Sequence, residues 1–398
     1  MSEFYFNPWD PVFRADPYPA YRTLVQEPPR LMPLGETIAL VARYRDADAV
    51  LRNHEHFSSV RPAKLPLAQR GPFAGALTML TSDPPVHTRL RRLVSRDFTP
   101  RRILELEPRI RAITESLLIN AVDRGGEFDV MAEIADTLPV MVIAELLGVP
   151  ADNYETFKRW SDAVVAGAGR TQPWEEPPPE FLEAVAALRS YFAENIEERR
   201  RRPGKDLVSA LVAAHDDSEA LSAEELLALV VLLLLAGNET TTNLIGNGML
   251  ALGRNPGQVD LLRRDPALIP RAIEEIVRYD GPVQGTVRFT TAATNVGGTA
   301  IPAGAVVFVL LAAANRDPAK FDEPEKFDVT RTPNEHLGFG NGIHFCLGAP
   351  LARMEGAIAI GSIIARFPNF RLADPAARPA YKGSFFLRGL TELRMITE

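Results

Sequence analysis

Near the C-terminus the sequence reads HLGFGNGIHFCLGAPLARME, and Cys346 within it is the single cysteine of 398 residues. A lone cysteine is ordinarily a small buried hydrophobe, but this one has unusual neighbours. Phe339, Gly340, Gly342, His344, Cys346 and Gly348 are spaced F-G-x-G-x-H-x-C-x-G, six specified positions in ten, with Pro350 and a helical pattern following. Glycines permit positive φ and close backbone approach, so such a loop can lie flat against a planar group. A cysteine just ahead of a helix has its sulfur near free N–H groups and the positive end of the helix dipole. Both favour the thiolate, the form that binds metal. One thiolate cannot hold a structural zinc or an iron–sulfur cluster, which take several ligands, but it can complete a haem iron.

Three other short patterns carry residues able to do chemistry. In LLLLAGNETTTNLIG an apolar run passes through Ala236-Gly237 to an acid and an alcohol, Glu239 and Thr240. Ala236 and Thr240 are four apart and share a helix face. Thr241 and Thr242 are expected to do no more than bond back to a preceding carbonyl. PPVHTRLRRLV places His87 and Arg91 four apart on one face of a helix, by themselves an ordinary structural histidine and a solvated surface charge. AIEEIVRYDGPV contains Glu275 and Arg278 one turn apart, by itself an ordinary ion pair.

The elements that must position these groups are mostly helical. Apolar residues recur at three- and four-residue spacing over 103–122 and 180–202, the second ending at Pro203-Gly204. Residues 37–44 read as β, and 287–315 as short strands joined at Gly297-Gly298 and Pro302-Ala303-Gly304. Residues 166–180 read as a Pro-rich loop, either a linker or a lid. The expected architecture is mainly α with a minor β portion in one domain spanning 1–398, without a fused reductase.

Hydrophobic residues make up 46% of the chain and its net charge is -7, which gives no global attraction to nucleic acid or anionic lipid. The longest apolar run, 226–237, is short of the roughly 20 residues of a membrane span. The N-terminus lacks the charged and apolar regions of a signal peptide. One cysteine cannot form an internal disulfide. The expectation is a cytoplasmic monomer with no membrane anchor and no nucleic-acid partner.

The cysteine loop resembles the haem-binding loop of the cytochrome P-450 superfamily, the haem-thiolate monooxygenases, in its soluble bacterial type. The resemblance runs from about Pro11 to the end of the chain, with every core motif in order. It implies haem b (iron protoporphyrin IX) with Cys346 as axial ligand and Phe339 packed beside it. Gly340 and Gly348 would make the loop's close approach, and Ala236 would face the haem. By the same resemblance Glu275, Arg278 and Arg331 form a structural network, and His87, Arg91, Arg288 and His344 bind the haem propionates. Thr240 would act on dioxygen, the co-substrate, and Glu239 would relay protons from solvent. Retention of that acid and alcohol favours oxygen activation over a peroxide-driven peroxygenase, and over a haem-binding sensor or carrier.

No flavin domain, P-loop or dinucleotide fingerprint is present. Electrons from NAD(P)H are therefore expected through a ferredoxin reductase and a ferredoxin. The latter would dock on the cluster Arg89, Arg91, Arg92, Arg96, Arg101 and Arg102. The resemblance also implies a pocket walled by Leu77, Met79, Leu80, Leu232, Leu235, Ala236, Val283, Gln284, Phe385 and Phe386, for a lipophilic substrate that is hydroxylated or epoxidised. Gln284 is the one obvious polar handle in that set.

Overall fold

The computed structural model describes residues 6–8, 10–34, 36–62, 77–95, 98–123, 126–170, 177–215, 221–382 and 386–397. Its axis is the helix Ala223–Arg254. Ser222 starts it with a capping box: its Oγ accepts from Glu225 N at 3.1 Å, and Glu225 Oε2 accepts from Ser222 N at 2.8 Å. Length and composition would let this helix cross a membrane, but 78% of its apolar window is buried inside the fold, so it is a core helix. Around it pack Leu138–Leu146, Tyr154–Arg170, Pro179–Arg201, Ile269–Asp280 and Ala349–Arg366. The expected helix over 103–122 lies within Pro100–Asp123, and that over 180–202 matches Pro179–Arg201 to one residue at each end.

A five-stranded sheet flanks the helical body in the order Arg30–Leu34, Glu36–Val41, Val306–Val309, Thr286–Thr290, Phe57–Ser58. The Glu36–Val41 strand runs parallel to Val306–Val309, with Ile38 opposite Val306; the other neighbours are antiparallel. Arg288 lies on the fourth of these strands. A second sheet joins Glu127–Asp129, Arg394–Ile396 and Arg371–Leu372. The hairpin Thr294–Val296/Thr299–Ile301 turns through Gly297 and Gly298, both at positive φ.

Three sequence expectations need correction. The β reading of 287–315 fails at its end: Leu311–Ala314 is a helical turn, because three successive alanines are strong helix formers. The β reading of 37–44 fails at Tyr44, which begins the helix Tyr44–Arg52. The loop expected over 166–180 is shorter, since helix continues to Arg170 and resumes at Pro179; residues 171–176 lie outside the described residues.

Glu275, Arg278 and Arg331 meet as expected. Arg278 Nε and Nη2 donate to the two Glu275 oxygens at 2.7 and 2.8 Å, and Arg331 Nε stands 3.2 Å from Glu275 Oε2. Arg278 also donates to the carbonyls of Asn315, Pro324 and Lys326, and Asp328 N donates to Glu275. The Glu275 and Arg278 side chains are fully buried. Removing one partner of such a pair leaves a buried charge uncompensated, at a cost of about 3–5 kcal/mol. Glu275→Ala is therefore expected to lower the urea midpoint sharply or to abolish soluble expression; a midpoint within error of the parent would contradict a structural role.

Candidate active site

Cys346 sits between a short 3-10 turn, Gly342–His344, and the helix Ala349–Arg366. Gly340 and Gly342 have φ of 71° and 68°, the left-handed conformation that favours glycine. A Cβ on Gly342 would lie 2.4 Å from Leu51 O, so the loop is pressed against the Tyr44–Arg52 helix there. On Gly348 a Cβ would meet nothing within 4 Å, and on Gly340 nothing nearer than 3.8 Å. At those two positions the loop reserves open space. Cys346 N donates to Phe339 O at 2.9 Å, which closes the loop on itself.

The helix start contributes as expected: hydrogen bonds from the Gly348 and Ala349 amides, together with Arg91 and Arg353, pull the Cys346 thiol's pKa down. Burial outweighs them and pushes it above the ordinary value. Burial thus opposes what the helix end favours, and metal coordination would displace the proton.

Four groups from three segments converge beside this loop. His87 and Arg91 come from the helix Val86–Ser95, Arg288 from the sheet, and His344 from the cysteine loop. The imidazole centroids of His87 and His344 are 4.4 Å apart. His344 Nε2 bonds Ser59 Oγ at 2.9 Å, and Asp83 accepts from Ser58 Oγ and Ser59 N behind it. Burial, then Arg288 and His87, lowers the His344 pKa to about 3. Burial lowers that of Arg288 to about 10, and burial, then Arg91, lowers that of His87. His87 Nε2 is buried without a hydrogen-bond partner. Each of these groups is disfavoured as a cation by its surroundings, and each would gain from an anion placed among them. That donor set fits the two carboxylates of haem, as the open face at Gly340 and Gly348 fits its plane.

On the central helix, Thr240 Oγ1 donates to Ala236 O at 2.7 Å. Back-bonding, expected at Thr241 and Thr242, is found at Thr240, while Thr242 bonds across to Ala135 O at 2.8 Å. With its hydrogen committed, the Thr240 oxygen is left free to accept. Glu239 is buried, and burial lifts its pKa to about 7 against the opposing charge of Lys382; Asp136 and Asp162 push it further up. Lys382 itself pairs with Asp136 at 3.2 Å, both partly exposed. Sequence reasoning found Glu239 but missed Asp136, Lys382 and Ser59, because no local pattern marks them.

The substrate-wall residues scatter more widely. Met79 and Leu232 are buried, and Leu235 packs against the main core. Leu77 and Leu80 are 44% and 54% exposed. Val283 bridges to Leu387, and Phe386 packs edge-on to Phe308; Phe385 lies outside the described residues. Gln284 is no free handle: its Nε2 donates to Gly281 O at 2.9 Å and its Oε1 accepts from Tyr21 Oη at 3.4 Å.

The expected docking cluster is partly paired and partly exposed. Arg89 pairs with Glu225, Arg101 and Arg102 both face Glu105, and Arg91 belongs to the inner group. Arg92 is exposed, and Arg96 lies outside the described residues.

Residues 20–379 match the family model "Cytochrome P450". Among curated proteins, cytochrome P450 monooxygenase PikC of Streptomyces venezuelae is 42% identical, over 96% of this chain and 91% of that protein. Vitamin D(3) 25-hydroxylase of Pseudonocardia autotrophica is 43% identical, over 96% and 94%. Among solved structures, CYP109E1 from Bacillus megaterium in complex with testosterone superposes with a TM-score of 0.87 at 35% identity, covering 98% of this chain and 100% of that one.

Proposed function

Because this chain belongs to the cytochrome P450 family of haem-dependent monooxygenases, we propose that Cys346 is its iron ligand, that Glu239 relays protons for oxygen activation and that Thr240 acts on dioxygen. Iron held by a thiolate supplies O–O cleavage and transfer of one oxygen atom into a C–H or C=C bond. His87, Arg91, Arg288 and His344 hold the haem carboxylates, and Ser59 fixes the ring of His344. Phe339 anchors Cys346 through its carbonyl.

The observation that carries the proton-delivery reading is Glu239, a buried carboxyl poised near neutrality beside Thr240 and within the field of a partly exposed ion pair. An acid with that pKa can both take and give a proton at physiological pH. An enzyme run on peroxide, or a carrier, gains nothing from such an acid.

Electrons come from a ferredoxin served by an NAD(P)H-dependent reductase. The substrate is a lipophilic small molecule, in keeping with the hydroxylase and the steroid complex named among the relatives. A cytoplasmic setting is supported by the single cysteine.

Thr240→Ala tests the proposal. It is expected to consume NAD(P)H at a rate near the parent's while most of the reducing power appears as hydrogen peroxide instead of product. Product formed in proportion to NAD(P)H consumed in this variant would place the relay elsewhere.

A further inference from the structure

Beneath the cysteine loop lies a charge cluster that the proposed chemistry does not use. Arg353, on the Ala349–Arg366 helix, donates through Nε and Nη2 to the two oxygens of Glu274 at 2.7 and 2.8 Å. His336 Nδ1 accepts from Gly338 N, so its Nε2 carries the hydrogen shared with Glu274 Oε2 at 3.2 Å. The fork holds the Arg353 guanidinium 4.6 Å from the centroid of the Phe339 ring. Phe339 is the residue whose carbonyl accepts from Cys346 N. Glu274 adjoins Glu275, so neighbouring carboxylates on one helix serve three arginines: Arg278 and Arg331 in the buried structural network, and Arg353 under the loop. These bonds draw the Glu274 pKa down to about 2 against burial, so the pair stays ionised across the working pH range. Arg353 is also among the charges that lower the Cys346 pKa.

We propose that Arg353, clamped by Glu274 against Phe339, is a positioning residue that sets the reduction potential of the iron centre carried by Cys346. Adding one electron from an iron–sulfur donor makes the site one charge more negative, and a fixed cation beside the ligand favours that state. Glu274 opposes it and, through the fork, keeps it in place. The inference rests on Cys346 being the ligand.

The test is a mediated reductive titration with dithionite on the haem-loaded protein, with the reduced carbon monoxide spectrum recorded on each variant. Arg353→Gln is expected to lower the midpoint by about 59 mV, a tenfold drop in the one-electron reduction equilibrium. Glu274→Gln, which removes the opposing charge, is expected to raise it. Arg353→Lys keeps the charge but loses the fork and the stack, and is expected to fall between Gln and the parent. Unchanged midpoints would overturn the proposal, as would shifts of Arg353→Gln and Glu274→Gln in the same direction, which mean that only packing is at stake. If Arg353→Gln does not take up haem, an unchanged midpoint in Arg353→Lys overturns it equally. An effect on ferredoxin KM with no change in midpoint would make Arg353 a docking residue and sink the inference. Failure of the ligand reading is separate: it appears as a non-thiolate carbon monoxide spectrum in the parent itself.

Discussion

Glu239→Gln is expected to slow turnover by about 10²–10⁴-fold, the usual worth of general acid catalysis. The amide keeps the size and polarity of the side chain but cannot release a proton. Folding is expected to survive, because the carboxyl makes no buried ion pair and burial already disfavours its charge. The pH profile carries the sharper signature. Glu239 donates when protonated, so activity of the parent is expected to fall as pH rises through about 7, where the buried group ionises. That limb disappears in Glu239→Gln. Lys382 acts on Glu239 in the opposite sense to burial, holding its pKa down. Lys382→Met therefore raises it, and the limb moves to higher pH with little change in the plateau below it. A parent profile flat from pH 6 to 8 would contradict the assignment.

Cys346→Ser is expected to remove monooxygenase activity entirely. Serine is isosteric within a few tenths of an ångström and leaves the bond from residue 346 N to Phe339 O undisturbed, so the loop keeps its shape. What is lost is the electron-rich sulfur that favours O–O cleavage. A hydroxyl is far less acidic than a thiol, and burial, which already pushes the thiol's pKa up, disfavours an alkoxide still more. Haem could still be retained through His87, Arg91, Arg288 and His344. Haem content and activity are thus expected to separate, with the first partly kept and the second gone. Activity near the parent level, measured with the same redox partners, would show that the sulfur is not the ligand.

The cysteine loop was legible in the sequence for a physical reason. A backbone laid against a planar group needs its ligand, its glycines and its aromatic neighbour within one short stretch, and Phe339 to Gly348 supplies them contiguously. The Glu275–Arg278 pair was legible because one helical turn joins its members. Groups that act across the fold were not. Glu239 owes its neutral-range pKa to burial modulated by Lys382, Asp136 and Asp162, from three other segments. Gln284 reads as a polar handle in the sequence, where nothing shows that its partner Tyr21 lies 263 positions away. Within the arginine cluster around residues 89–102, Arg89 is paired with Glu225, 136 positions distant, which no local pattern marks. Where the strand reading overran, at Leu311–Ala314, the local alanine content was the signal that should have prevailed.

The central claim is that Cys346 binds haem iron as a thiolate, and the most direct test is the carbon monoxide difference spectrum of the dithionite-reduced protein beside that of Cys346→Ser. The parent is expected to show the strongly red-shifted Soret band of a thiolate-ligated complex, and the variant only the shorter-wavelength band of a neutral or oxygen ligand. The same red-shifted band in both proteins, or its absence from a well-folded, haem-loaded parent, would contradict the account from Cys346 outward.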